Sequence, residues 1–481
     1  MLEITSAAMP SAVANELHTA LVRDDGQEDL TFGLWYPSNG IHRHTALLAR
    51  RVPPEPGDRQ IHGNVSFNPS YLHRALQAAV QAGAGLAFLH SHPFPGWQHM
   101  SDDDVAAETR IARAACALTD LPLLGLTTGT DATWSARTWV ATAECRDPRM
   151  TWLSDVRVVG QRLRVSQPAT SLRPARRNET LIRTVAAWGD DAQADLERLR
   201  VGIVGLGSVG SMVAESLARM GLQKLVFVDF DRVELKNLDR LVTATEADVG
   251  RFKVEVAAER VRAVATAPEL DLRAVPEKIS NPDAYRTALD CDILFSCVDR
   301  PHPRHVLNFL AYSHLVPVID GGIRVRHRNG VFRGADWQVQ TVAPGRACLR
   351  CLGAYDANDV SLDQAGLLDD PSYMAGVDPA SVLHRRENVF PFSANLASLE
   401  VFHMISMAAG IAGQGDLGIQ RFRYYPGVMD QRLDAACKDG CEFGQLIATG
   451  DHHFSLMDAG QPIGVGAFHA GGRAVRLRPC Y

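Results

Sequence analysis

No run in this 481-residue chain is apolar for long enough to cross a bilayer. The longest weakly polar stretch, 401–413, falls short of the ~20 residues a membrane helix needs. The amino terminus, MLEITSAAMPSAVANELH, has no basic run ahead of an apolar segment, so a secretory signal is not expected. Positive charge is not in excess either. The 49 Lys and Arg against 55 Asp and Glu leave −6, which argues against a general binder of nucleic-acid phosphates. Nine cysteines, grouped in pairs, are too few for a disulfide scaffold and suit metal binding in a reducing cytosol. Internal repeats and low-complexity tracts are missing. What is present is ordinary soluble composition, 46% hydrophobic and 22% charged, in a chain long enough for roughly two to four domains. The expectation is a cytoplasmic, multidomain enzyme without a nucleic-acid or membrane partner.

The pattern along the chain is α/β. Strand-like runs at 30–36 and 45–52 alternate with helical ones at 71–82 and 104–117, giving a first unit over 1–150. A linker follows over 151–177, and its stretch 166–177 is rich in Ser, Pro and Arg. From Leu199 a strand, a glycine turn, a helix and a second strand (Lys224–Val228) form a βαβ unit of a doubly wound parallel sheet, continued by strands at 293–297 and 316–320. This second unit spans 178–445 and leaves a tail at 446–481. Residues 352–390 carry Gly, Pro and Asp without periodicity and read as a long mobile loop.

Two stretches carry chemistry. The first is HSHPFPGWQHMSDDD, residues 90–104. A buried strand at 85–89 would put His90 and His92 at its end and on one side, so both imidazoles reach one ion. Asp104, in the first turn of the next helix, would be the third ligand, leaving a position for water as in a catalytic zinc site. Glu28, ahead of the strand LTFGLW, is the candidate general base, and Ser101 could hydrogen-bond an oxyanion. Each piece has an ordinary reading too. S-x-x-D ahead of an apolar run is a helix capping box, H-x-H occurs on surfaces, and Glu28 alone is a turn residue.

Together these residues resemble the JAB/MPN (JAMM) metalloprotease family, whose signature is a distant Glu, H-x-H-P and S-x-x-D. The resemblance implies zinc on His90, His92 and Asp104, Glu28 as acid–base, Ser101 as oxyanion helper, and cleavage of isopeptides or ubiquitin-like precursors. One departure is that Pro93 to Met100 puts eight residues between His92 and Ser101, where the family usually has seven. Counting from His92 favours Asp103 as the ligand, whereas the S-x-x-D offset favours Asp104, which is chosen here. His99 is read as a loop residue.

The second stretch begins VGIVGLGSVG. Gly205, Gly207 and Gly210 form G-x-G-x-x-G between a strand and a helix, letting backbone approach a phosphate at a helix N-terminus. That motif alone would suit NAD or FAD as well as ATP. Asp229, at the end of the next strand, suits a ribose hydroxyl and does not separate them; the polar series it leads into crowds a triphosphate instead: Asn237, Arg240, Lys253, and Asp299 after the strand ILFSCV as a Mg2+ ligand. Over roughly 178–445 the sequence resembles the ThiF/MoeB/ubiquitin-activating family, which has these groups in this order. The resemblance implies adenylation of a C-terminal glycine by ATP, in a homodimer. It also implies that Arg183 of LIRTVAAWGDDAQ reaches the neighbouring subunit's ATP; Trp188, Gly189 and Gln193 keep register, and Thr184 replaces a usual Gln.

Cys348-x-x-Cys351 and Cys437-x-x-x-Cys441 read as a four-thiolate structural zinc. Cys116, Cys145, Cys291 and Cys297 lie in apolar surroundings and read as core. Thioester-forming members of the family have a crossover-loop cysteine, but this chain has none between Leu352 and Ala436. The adenylate would then pass straight to a partner, unless Cys480 folds back. The expected function is therefore adenylation of a ubiquitin-like protein coupled to its zinc-dependent processing or deconjugation, alongside a conjugating enzyme. The rivals are activation of a sulfur carrier for thiocarboxylate chemistry, a first unit that only docks the partner, and a flavin or NAD oxidoreductase.

Overall fold

The structure is a computed structural model. It describes residues 3–62, 64–141, 147–171, 179–328, 331–377, 388–410 and 416–453. Cys145, Cys480, residues 172–177 of the expected linker and the tail after 453 lie outside the described residues.

The first sheet has nine strands. Across it run Leu163–Ser166, Val156–Val159, Ser6–Pro10, His44–Val52, Leu30–Asn39, Gly85–Ser91, Leu123–Thr128, Trp134–Val140 and Arg149–Trp152. Gly85–Ser91 is buried at every position, as a central strand covered on both faces must be. One cover is the helix Asp102–Thr119, whose Glu108, Ile111, Ala112, Ala115 and Cys116 recur at three- and four-residue spacing and are buried. Another is Pro69–Ala82, started by proline at its first turn and stopped by Gly83 at φ +60°.

The second sheet has eight strands. Its order is Asp271–Val275, Lys224–Val228, Arg200–Val204, Ile293–Ser296, Val318–Arg328, Val331–Val342, Ile419–Arg423 and Val428–Arg432. The first five are parallel and the last three antiparallel, a Rossmann-type half extended by a meander. This matches the expected mixed α/β architecture with a parallel, doubly wound part.

Three readings need correction. Residues 151–166, assigned to the linker, include the strands Val156–Val159 and Leu163–Ser166, which extend the first sheet beside Ser6–Pro10. The stretch 352–390, read as loop, contains the helices Ala357–Gln364 and Pro371–Ala375, N-capped by Asp356 and Asp370. The strand expected at 316–320 begins at Val318 and continues to Arg328 as one arm of a hairpin. The apolar stretch at 401 lies in the helix Phe390–Ala409, and no helix among the described residues is long and apolar enough to cross a membrane.

The two sheets share a core. Ala8, Leu47, Val159 and Leu163 of the first pack in one apolar cluster with Leu196, Leu199 and Val201 ahead of the glycine loop. The hairpin tip joining Leu30–Asn39 to His44–Val52 is gripped by the second unit. Asp290 accepts the backbone N–H groups of His42 (3.0 Å) and Arg43 (2.9 Å), Arg43 pairs with Asp292, and Asp451 accepts both nitrogens of Asn39. Ser38 meets buried His314 at 2.8 Å, and the opposite ring nitrogen meets Tyr285 at 2.9 Å.

Candidate functional site

His90 is the penultimate residue of the strand Gly85–Ser91 and His92 directly follows it, and their Nε2 atoms lie 3.2 Å apart. Asp104 faces both, with Oδ1 3.3 Å from His90 and Oδ2 3.3 Å from His92. One donor atom from each residue falls within 4.8 Å of the others. The structure brings in Asp104 and leaves Asp103 exposed. The reason is the capping box. Ser101 Oγ accepts the Asp104 N–H, and the Asp104 carboxylate accepts the Ser101 N–H at 2.8 Å, which aims the carboxylate at the histidines. The ordinary and the functional readings of S-x-x-D thus coincide. Ser101 is exposed, and His99 stands apart against Trp152.

Glu28 Oε1 lies 3.8 Å from His92 Nε2. Burial pushes the Glu28 carboxyl up, against the pull of both histidines. Burial acts in the same direction on Asp104, but its bonds to His90 and His92 outweigh it and hold that carboxyl far below the carboxylate range. His92 is raised, because Asp104 and Glu28 outweigh its burial. Two imidazoles and an ionised carboxylate within bonding reach are a donor set that fits a divalent zinc with one position left for water. Sequence reading missed the support beneath. Thr127 Oγ1 lies 3.3 Å from His90 Nε2 and accepts from Arg137, whose guanidinium is paired with Glu108. Both charged side chains are 0% exposed, and Trp139 donates to the same carboxylate. Their only sequence signal was a charge on each apolar face.

The second constellation lies at the carboxyl ends of Arg200–Val204 and Ile293–Ser296. Gly205 takes φ +91°, and a Cβ there would sit 2.5 Å from the Cys297 carbonyl. A Cβ on Gly210 would overlap the Gly205 carbonyl. Gly207, the N-cap of the helix Ser208–Arg219, differs, since an added Cβ meets nothing within 4 Å. Packing explains Gly205 and Gly210. Open space above the helix start, where a phosphate would approach, is what Gly207 offers.

Asp229 is buried beside this turn, accepting Leu206 N–H at 2.6 Å and Asp231 N–H at 2.8 Å, and burial pushes its carboxyl up. Lys253 starts the next helix with Nζ 2.7 Å from Asp231. Asn237 caps a short turn by accepting Glu234 N–H, and Arg240 reaches Asp239 and the Lys236 carbonyl, both at 2.8 Å. Asp299 is exposed after Ile293–Ser296, next to the glycine turn through the Cys297 N–H to Val204 bond. Arg183 is not brought to this turn. It is exposed on Ile182–Trp188, and adjacent Leu181 packs at Gly221, past the far end of the glycine-loop helix. Trp188 donates to Gln193 at 3.1 Å, keeping that segment folded. Unforeseen neighbours are Asn388, which donates to Ser208 Oγ at 2.7 Å, and buried Ser296 and Gln340 with half-buried Arg304 around Asp320.

Cys348, Cys351, Cys437 and Cys441 converge, with thiol atoms within 4.8 Å of one another. Backbone N–H groups of Cys348, Cys351 and Lys438 point at sulfurs, at 3.2–3.4 Å. The contact with Cys348 pulls the Cys437 thiol down to about 5 and pushes Cys348 up. Four converging sulfurs with N–H support fit a tetrahedral zinc. Cys116, Cys291 and Cys297 lie in or against apolar core, as expected.

The ThiF family model matches residues 180–425, just over half of the chain. The chain belongs to the ThiF family. Among curated relatives it is 30% identical to molybdopterin-synthase adenylyltransferase of Escherichia coli (strain K12), over 37% of this chain and 68% of that one. It is 31% identical to SAMP-activating enzyme E1 of Haloferax volcanii, over 34% of this chain and 57% of that one. Among solved structures, E. coli MccB with ATP is similar at 18% identity and a TM-score of 0.41, covering 56% of this chain and 75% of that one. The ThiF match begins after the first sheet and takes in the glycine turn, Asp229, Asn237, Arg240, Lys253 and Asp299.

Proposed function

We propose that this ThiF-family protein uses MgATP to adenylate the C-terminal glycine of a ubiquitin-like or sulfur-carrier protein, and that its first unit hydrolyses a bond at that same glycine. Family membership, joined to the open Gly207 turn, is the observation that carries the first half. A glycine carboxylate oxygen attacks the α-phosphorus of ATP, forming the acyl-phosphate bond as the bond to pyrophosphate breaks. The Gly207 turn and the N-terminus of Ser208–Arg219 bind the phosphates. Arg240 and Lys253 balance charge as it builds on the α-phosphate, Asp299 would hold Mg2+, and Asp229 fixes the turn and would face the ribose. Arg183 would come from a second copy, in a homodimer. No cysteine lies between Leu352 and Ala436, so the acyl-adenylate itself is the species handed on, to a conjugating enzyme or a sulfur donor.

His90, His92 and Asp104 would hold a zinc ion, which supplies an acidified water when bound. Glu28, whose carboxyl burial pushes up, takes and returns a proton, and Ser101 faces the developing oxyanion. The hydrolysis releases a glycine carboxylate and an amine. The four cysteines would hold a second, structural zinc.

The test is ATP–pyrophosphate exchange with a panel of glycine-terminated small proteins. One member should support exchange, and Asp299→Ala should reduce it at least ~100-fold, in line with the loss of a transition-state electrostatic partner. Exchange with none of them, or exchange indifferent to Asp299→Ala, would refute the adenylation assignment. Cleavage of a C-terminally extended form of that protein, lost in Glu28→Gln, tests the hydrolytic half.

A further inference from the structure

We infer that the two centres of one chain lie out of each other's reach, so that a partner protein meets them in two separate encounters with release between. This rests on the function proposed above and specifies how its two halves are joined. Three internal rulers support it. The His90–His92–Asp104 cluster lies at the Leu30 end of the strand Leu30–Asn39, because Leu30 pairs with His90. The second unit grips the Asn39 end through Asp290 and Asp292, joined by Asp451 of the segment that follows it. Ten residues of strand separate the two ends, about 30 Å.

The grip falls on the wrong side of the second sheet for direct transfer. Asp290 and Asp292 precede Ile293–Ser296, and Asp292 also accepts the Arg200 N–H that opens the glycine-loop strand. The glycine turn and Asp299 follow the opposite, carboxyl ends of these strands, about 13–17 Å from the grip. The helix Phe390–Ala409 gives the third ruler. Asn388, before its start, touches Ser208 at the glycine turn, whereas Gly410, at its end, abuts Arg162 of the first unit. Its 20 residues measure about 30 Å.

The shared apolar cluster and the paired carboxylates at the interface oppose a swing of one unit toward the other. A bound partner would have to carry its end across by a free tail of roughly a dozen residues or more, at about 3.3 Å each. Hydrolysis and activation are therefore independent uses of the same glycine. The free carboxylate that leaves the first centre enters the common pool, and the second centre draws on that pool.

The test uses the wild-type full chain in a single turnover. The substrate is the glycine-terminated protein that supports exchange, isotopically heavy and extended by a C-terminal peptide, mixed with a large excess of its light, mature form. The expected adenylate carries heavy label only in proportion to the heavy share of the mature pool. Adenylate dominated by heavy label would overturn the inference. A partner-free measurement uses Cu2+ at the histidine cluster and nitroxide-labelled ATP at the glycine turn. Pulsed electron resonance should give a separation beyond about 30 Å, and any shorter one would overturn the inference. Failure of the extended protein to be cleaved, or of Cu2+ or nucleotide to bind alone, would instead count against the function proposed above.

Discussion

At Gly205 the backbone takes φ +91° and an added Cβ would press on the Cys297 carbonyl, whereas the same atom on Gly207 would stand in open space. The two glycines of one motif should therefore fail differently. Gly205→Ala is expected to destabilise the fold by about 1–3 kcal/mol through forced backbone strain. Gly207→Ala should stay within about 1 kcal/mol of wild type, yet weaken binding of a fluorescent ATP analogue at least tenfold. Thermal melts and nucleotide titrations separate the outcomes, and equal loss of stability in both would remove the case for Gly207 as a phosphate-approach point. His314 gives a second residue-level test. Burial pushes its pKa down to about 3, so the folded state keeps the ring neutral between Ser38 and Tyr285. A group depressed in this way contributes its full stability above the unfolded value near 6.5 and loses it as pH falls toward 3. At pH 5 the loss is about 2 kcal/mol. Asp451, pushed up to about 6 by burial, works in the opposite direction at the same interface, so the comparison must isolate the imidazole. The stability gap between wild type and His314→Asn, from urea unfolding, should narrow from pH 7.5 to pH 5. A constant gap would contradict the neutral, buried ring.

Elements with local signals were the ones the sequence disclosed. The glycine turn, the capping box at Ser101 and the strand Lys224–Val228 are each specified by residues within one or two turns of chain. Val156–Val159 and Leu163–Ser166 were absorbed into a linker because four-residue strands are too short for alternation to register. The helices inside 352–377 bury little beyond Val360 and Leu368, so no periodic face marks them. Arg137 and Glu108 were overlooked for a different reason. Glu108 is one of several charges on its helix and Arg137 the one charge on its strand, and only the pairing of helix with strand reveals them as a buried pair under His90. The cysteine element shows how local spacing and distant convergence combine, because two pairs some ninety residues apart meet only after the second sheet is built. Metal analysis should find two zinc ions per chain. Cys437→Ser is expected to remove one and lower the melting temperature, since thiolate zinc stabilises its segment directly. His92→Ala should remove the other with little thermal effect. A single zinc that survives His92→Ala would leave the histidine cluster without its metal.

At the scale of the whole molecule, the decisive contacts are those that make two sheets one cooperative body. Asp292 is central among them. It pairs with Arg43 from the hairpin tip, lies 3.8 Å from Arg157 of the first sheet, and accepts the Arg200 N–H from the second. Arg157 is 1% exposed; burial together with the nearby Arg43 pulls it down to about 10, and Asp292 and Asp155 oppose that shift. Removing Asp292 would leave the Arg43 and Arg157 guanidinium groups half-compensated, with Asp155 and Asp290 as the remaining carboxylates beside a cavity of about 490 Å³, a change that costs up to about 3–5 kcal/mol where such pairs are buried. Calorimetry of the wild-type chain should show a single transition, because the apolar cluster spanning both sheets melts with them. Asp292→Ala should split that transition in two, the first sheet unfolding apart from the second. Since the glycine turn lies at the opposite end of the strands from Asp292, nucleotide binding measured below the first transition should be retained. If Asp292→Ala instead melts in one step with nucleotide binding lost, the interface is part of the nucleotide site's own framework, and the separation of the two ends along Arg200–Val204 does not insulate one from the other.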